Sequence, residues 1–421
     1  MWNALLDGAQ RDAALATVRE IAAALAEPPP CHRLADDSES AARVANATLS
    51  LGHAGTALSL GYLSLVHDEP SYAANARTLI ASAASVLGKE VMRPTLYGGF
   101  VGIAWALAKL RAWGVVAATD ASFAAIDRAL VTWVGQEDWP HPVELIYGLA
   151  GCLVYALARL PGADAQRVIE RALHALEVSA EATADGLTWF VDPMHLRSTT
   201  LERAPEGCYN LGLSHGNPGV ISILAEIHRL GVDPPRTRRL LEESVRWVLA
   251  QELEGGRFPS LTGPGVNAKP ARVAWCYGPP GVAIALLRAA QALGREDWHA
   301  HAVRIATLAA KTPPDDTGVV DPPFCHGAVG LMHVYNRLYQ ETGVKTFADA
   351  ARGWFDRTLE YRREGIGIAG FGARLFVGPE HYGEPGMLYG VAGIAASFAA
   401  AISDREPSWD AMFALSDAGT A

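Results

Sequence analysis

The segment "CYGPPGVAIALL", residues 276–287, joins a Gly-x-x-Gly turn (Gly278, Gly281) to an unbroken apolar run, and its recurrence decides the fold. The same pattern stands in "LGHAGTALSL" (Gly52, Gly55), "YGGFVGIAWAL" (Gly99, Gly102) and "IYGLAGCLVYAL" (Gly148, Gly151). It returns in "SHGNPGVISILA" (Gly216, Gly219), "CHGAVGLMHVY" (Gly327, Gly330) and "LYGVAGIAASF" (Gly390, Gly393). One Gly-x-x-Gly means little, but seven at intervals of roughly 47 to 68 residues form a repeat with room for two helices each.

The Gly-led runs are apolar nearly all round, the mark of a buried helix. Between them lie amphipathic segments. "RTRRLLEESVRWVLAQEL" spaces Leu241, Val245 and Val248 along one face, and "FADAARGWFDRTLEYRR" does the same with Phe347, Ala351, Trp354 and Thr358. The expected fold is therefore all-α: seven hairpins of one inner and one outer helix, closed into an α/α toroid. An open solenoid would carry polar capping repeats, and the last inner run "GVAGIAASFAAA" is not one. The whole chain, 1–421, reads as one domain, with an N-terminal helix and Pro-rich turn over 1–30. Longer connections lie at 176–207, with short-strand character, 254–271 and 363–386, and some of them are expected to rim the cavity mouth. All inner helices run the same way, so their N-termini gather at one end. The glycines there are expected to allow close backbone approach and to leave free N–H groups aimed into the cavity.

Composition narrows the function. Half the residues are hydrophobic and 19% charged, with net charge −10, so no basic face for nucleic acid is expected. The N-terminus "MWNALLDGAQRDAALATVREIAAALAEPPP" mixes charges throughout and is not a signal peptide, and no run is long enough to be a transmembrane segment. Five cysteines, Cys31, Cys152, Cys208, Cys276 and Cys325, are an odd, sparse set that fits a reducing cytoplasm.

Aligning the repeats on their first glycine brings chemistry into register. The residue just before it is His215, Tyr277, His326 and Tyr389 in repeats four to seven; one earlier stand Ser214, Cys276, Cys325 and Leu388. Cys276, Cys325 and His326 thus come from the same end of adjacent hairpins and make a three-ligand zinc set with one position open. Neighbours such as Cys325 and His326 diverge on a helix but share a metal in an irregular turn. Each residue alone is more simply a buried Cys or a loop His; their agreement in register favours the metal. Cys152 reads as core, His141 as an ordinary loop residue, and Cys208 is left outside the site.

With "LSHGNPG" around His215, "WCYGPPG" around Cys276 and "FCHGAVG" around Cys325, the chain resembles the lanthipeptide cyclase (LanC) family over nearly its full length. The resemblance implies one catalytic Zn2+ per chain on Cys276, Cys325 and His326. It also implies addition of peptide Cys thiols to dehydroalanine or dehydrobutyrine, closing lanthionine and methyllanthionine rings. In that chemistry His215 is the expected acid/base, Arg272 resembles the family's active-site Arg and would stabilise the enolate, and Tyr277 would contact substrate or tune its neighbouring ligand. Glu144 stands where relatives commonly carry Asp and would orient His215. The implied substrate is a dehydrated precursor peptide with its leader. The implied partners are a separate dehydratase and an exporter, met in the cytoplasm or at the periphery of a membrane-associated complex. Alternatives are a LanC-like protein that adds glutathione to dehydrated residues, or a non-catalytic zinc- or peptide-binding scaffold. A toroid glycosidase would need paired carboxylates, and a prenyltransferase typically a carboxylate ligand; neither pattern is present.

Overall fold

A computed structural model of the chain describes residues 2–31, 38–136, 139–374 and 381–419. The Gly-led runs form seven inner helices: α1 (His53–Val66), α2 (Phe100–Ala112), α3 (Leu149–Ala158), α4 (Asn217–Arg229), α5 (Pro279–Leu293), α6 (Ala328–Thr342) and α7 (Val391–Ala401). Their burial matches their composition; every residue of α7 is buried. The amphipathic segments form the outer helices. Pro234–Ala250 turns Leu241, Val245 and Val248 inward, and Lys345–Glu360 buries Phe347, Ala351, Trp354 and Thr358.

The chain divides into two compact units. The first spans residues 1–126 and 319–410 with the last two residues, and holds α1, α2, α6 and α7. Within it α6 packs on α7, α7 on α1, and α1 on α2. The last inner helix therefore lies against the first, as a closed ring requires. The outer partner of α7 is the helix Gly8–Ala24, some 370 residues away in sequence. Three hydrogen bonds pin the entry to that helix: Trp2 Nε1 donates to Ala400 O, and the Leu5 and Leu6 amides donate to Ala401 O. The second unit, residues 127–318 and 411–419, holds α3, α4 and α5, with α4 between the other two. No helix of the described residues is long and apolar enough to cross a membrane.

The longer connections carry the strands. Residues 176–207 form the hairpin β1 (Glu181–Thr183) and β2 (Gly186–Thr188), then β3 (Phe190–Val191). β3 pairs with β4 (Cys208–Asn210), which pairs with β5 (Leu261–Thr262) from the 254–271 connection. In the 363–386 connection β6 (Ala373–Arg374) pairs with β7 (His381–Tyr382); residues 375–380 lie outside the described residues.

The glycine pair has a steric cause. In all seven repeats a Cβ on the first glycine would come within 3.0 Å of the carbonyl oxygen six residues earlier, closer than real Cβ atoms pack. On the second glycine the same holds in six repeats. The turn ahead of each inner helix folds back onto the helix's first turn, and only glycine leaves room. Gly278 adds a positive φ of 101°, which L side chains rarely adopt.

This fold-back corrects the expectation of free N–H groups in the cavity. Phe100, Leu149, Ala328 and Val391, the first residues of their helices, donate to the carbonyls of Arg93, Pro142, Asp321 and Glu384. The second residues Ala150, Val329 and Ala392 donate to Val143, Pro322 and Pro385. In α5, Pro279 and Pro280 remove the first two donors, and in α4 Pro218 removes the second. Backbone carbonyls, not cavity anions, satisfy these helix starts.

Two glycine substitutions test this account. Gly330→Ala should lower stability by about 1–3 kcal/mol or more through forced displacement of the Phe324 carbonyl. Gly353→Ala, on an outer helix with nothing within 4 Å, should raise stability by about 0.5–1 kcal/mol. Urea midpoints that shift in opposite directions are the expected result.

Candidate functional site

The position two residues before the first glycine, or three before it in the third repeat, is where neighbouring hairpins are tied by backbone hydrogen bonds. In the first unit the Cys325 amide donates to Leu388 O (3.0 Å), Leu388 to Ser50 O (3.0 Å) and Ser50 to Tyr97 O (3.1 Å). In the second, Leu145 donates to Ser214 O (3.2 Å) and Ser214 to Cys276 O (3.4 Å). Ser214 Oγ reinforces the last link at 3.3 Å. Cys276 and Cys325 occupy this position, so their backbones are fixed by the same bonds that join the repeats.

Cys276, Cys325 and His326 are all buried, and one donor atom from each, two Sγ and an imidazole nitrogen, lie within 4.8 Å of one another. Donors on a tetrahedral zinc sit about 3.4–3.8 Å apart, given Zn–S near 2.3 Å and Zn–N near 2.0–2.1 Å. Two sulfurs and an imidazole are a donor set for a thiophilic transition metal, and a poor one for calcium or magnesium, which take oxygen. The residues present thus fit a metal ion.

His215 is set by its partner. Glu144, buried in the turn before α3, accepts the amides of Ile146 (2.9 Å) and Tyr147 (2.6 Å) and places Oε2 2.9 Å from His215 Nδ1. A carboxylate so held cannot turn away, and it keeps the imidazole proton on Nδ1, leaving Nε2 to accept or deliver a proton. His215 remains partly open to solvent, with the Tyr147 ring 5.6 Å and the Tyr277 ring 6.4 Å away.

The Tyr277 hydroxyl accepts from Asn210 Nδ2 at 3.0 Å, and the Asn210 amide is oriented because its Oδ1 accepts from Gly212 N at 2.9 Å. Burial pushes the phenol's pKa up, against the lowering effect of the Asn210 bond, so the group stays protonated at neutral pH. Arg272 lies at the start of the turn leading to Cys276 and is exposed; among the described residues no protein group holds its guanidinium.

Two other cysteines, Cys152 and Cys208, are buried away from solvent. Cys152 is fully buried in α3, and burial pushes its thiol pKa up. Cys208 on β4 packs against Ala204 and Leu261, its thiol pushed up to about 11 by burial. His141 stacks on Trp133 as a loop residue.

Four residues near the site were missed from sequence: Tyr147, Arg197, Asn210 and Asp321. Arg197 lies over the Tyr147 ring at 5.3 Å, with no sequence signal. Asn210 and Asp321 did have one. Each stands six residues before a first glycine, the register position that Arg272 also occupies.

Comparison with known proteins agrees with this architecture. Residues 43–414 match the family model described as lanthionine synthetase C-like protein. The nisin biosynthesis protein NisC of Lactococcus lactis subsp. lactis is 29% identical over 157 residues, which is 35% of this chain and 37% of that protein. The match thus spans little more than a third of the curated relative's length. Among solved structures, nisin cyclase superposes with a TM-score of 0.72 at 21% identity, covering 88% of this chain and 93% of that one. Its α/α toroid is the fold found here. With the family model matched over most of its length, the chain belongs to the lanthionine synthetase C-like family.

Proposed function

We propose that this protein is a zinc-dependent lanthipeptide cyclase, which adds Cys thiols of a dehydrated precursor peptide to its dehydroalanine and dehydrobutyrine residues. The observation that carries the reading is the convergence of Cys276, Cys325 and His326, together with the Glu144–His215 pair. Membership of the family supports it.

Cys276, Cys325 and His326 would hold one zinc. When bound, that ion supplies an open position at which a substrate thiol ionises near neutral pH. Cys276 and Cys325, as thiolates, would balance the ion's formal charge. The S–Cβ bond forms as the Cα=Cβ bond opens to an enolate, and a proton goes to Cα. Mass does not change. His215, its proton fixed on Nδ1 by Glu144, takes the thiol proton on Nε2 and returns it to the enolate carbon. Arg272, exposed and without a protein partner among the described residues, is available to the enolate oxygen. The protonated Tyr277 hydroxyl donates to substrate. The precursor would arrive with its leader from a dehydratase in the cytoplasm, and leave for an exporter.

Purified protein should contain about one zinc per chain, and Cys276→Ala or Cys325→Ala should lose it in metal analysis. His215→Ala should keep its zinc while cyclisation slows by about 10²–10⁴-fold; an undiminished rate would remove His215 from the reaction. Glu144→Gln retains an oxygen for one backbone N–H but loses the charge that selects the His215 tautomer. Its rate should fall by about 10² or more, with a melting temperature near wild type.

A further inference from the structure

Asp321 opens the "DPPFCHG" turn and is almost fully buried, 1% exposed. Its Oδ2 accepts the Arg374 amide of β6 at 2.9 Å and lies 3.9 Å from His326 Nε2. One donor thus holds this oxygen of a carboxylate that burial would otherwise penalise, and the His326 imidazole stands just beyond hydrogen-bond distance of it. A metal-bound imidazole commonly donates its other N–H to a carboxylate, which fixes the ring's orientation and raises its basicity. The Tyr389 ring, 5.8 Å from His326, packs beside the same imidazole.

We infer that Asp321 is a positioning residue for the metal centre. It accepts the Nε2–H of His326, commits Nδ1 to the ion, and is itself aimed by the β6–β7 hairpin through the Arg374 amide. This inference rests on the reading of His326 as a ligand. The gap of 3.9 Å is just beyond hydrogen-bond length, and a small turn of the ring toward the ion would close it. The two histidines of the site are then set by carboxylates of opposite effect. Glu144 keeps the proton of His215 on Nδ1 and leaves Nε2 for proton transfer, whereas Asp321 keeps the proton of His326 on Nε2 and leaves Nδ1 for the metal.

The test is zinc affinity, by competition with a chelator of known strength, for wild-type protein and Asp321→Asn. Asparagine still offers an oxygen to the Arg374 amide but no negative charge to His326. The expected result is about 10- to 100-fold weaker zinc binding with the hairpin intact. Equal affinity in the two proteins would mean that Asp321 serves only the hairpin, and overturns the inference alone. A wild-type protein that takes up no zinc overturns the ligand reading and this inference with it. A second measurement needs no variant. In the histidine ¹⁵N spectrum of zinc-loaded protein, His326 should carry its proton on Nε2 and show the metal-bound shift on Nδ1; zinc on Nε2 contradicts the assignment.

Discussion

The contact on which this structure depends is a backbone carbonyl pressed against a glycine. In every repeat the oxygen six residues before the first glycine sits where a Cβ would be. Because no side chain intervenes, the turn ahead of each inner helix lies directly on the helix's first turn. In four repeats its carbonyls then take up the first amide of the helix, and in α5 two prolines leave no amide there to satisfy. The turn is thereby rigid before any side chain acts. Its next consequence is lateral, since the position two before the glycine bonds to the neighbouring repeat. Cys276 and Cys325 stand at that position. Their backbones are fixed there, so only side-chain torsions would be left to adjust on the proposed metal.

Around that framework the acidic groups act on the histidines. Glu144 is anchored by two amides of its own turn and reaches His215 from the preceding repeat. Asp321 lies in the same turn as His326 and is anchored by β6. Both carboxylates are buried, so each pays for its desolvation with donors that also fix its direction. On the proposed reading this division lets two chemically identical imidazoles do different work: one binds a metal and the other moves a proton. The Glu144 carboxylate reaches Nδ1 because its turn holds it from behind.

Much of this was legible in the sequence because the repeat is written in residue types with strong physical preferences. The seven glycine pairs, the all-apolar runs and the one-sided periodicity of segments such as 345–360 predict inner and outer helices. The structure places Phe347, Ala351, Trp354 and Thr358 inside as that periodicity requires. What failed to show was long-range or conformational. Nothing local says that the helix Gly8–Ala24 partners α7, since closure is decided by what the rest of the ring leaves uncovered. The expectation of free helix-start amides failed because it counted donors without locating their acceptors, although Pro218, Pro279 and Pro280 were visible clues. The proximity of Cys276, Cys325 and His326 was readable because they fill the two positions before the glycine. Asn210 and Asp321 were missed because the register comparison stopped there.

The most direct test of the central claim follows free thiols and mass together. Zinc-loaded protein is incubated with a dehydrated, Cys-containing precursor peptide, and the peptide is then alkylated and weighed. The account predicts that alkylatable thiols disappear while the unalkylated peptide keeps its mass, as internal addition requires. Thiols that persist through the incubation, or dehydro residues consumed only when glutathione is supplied and with its mass added, would contradict it.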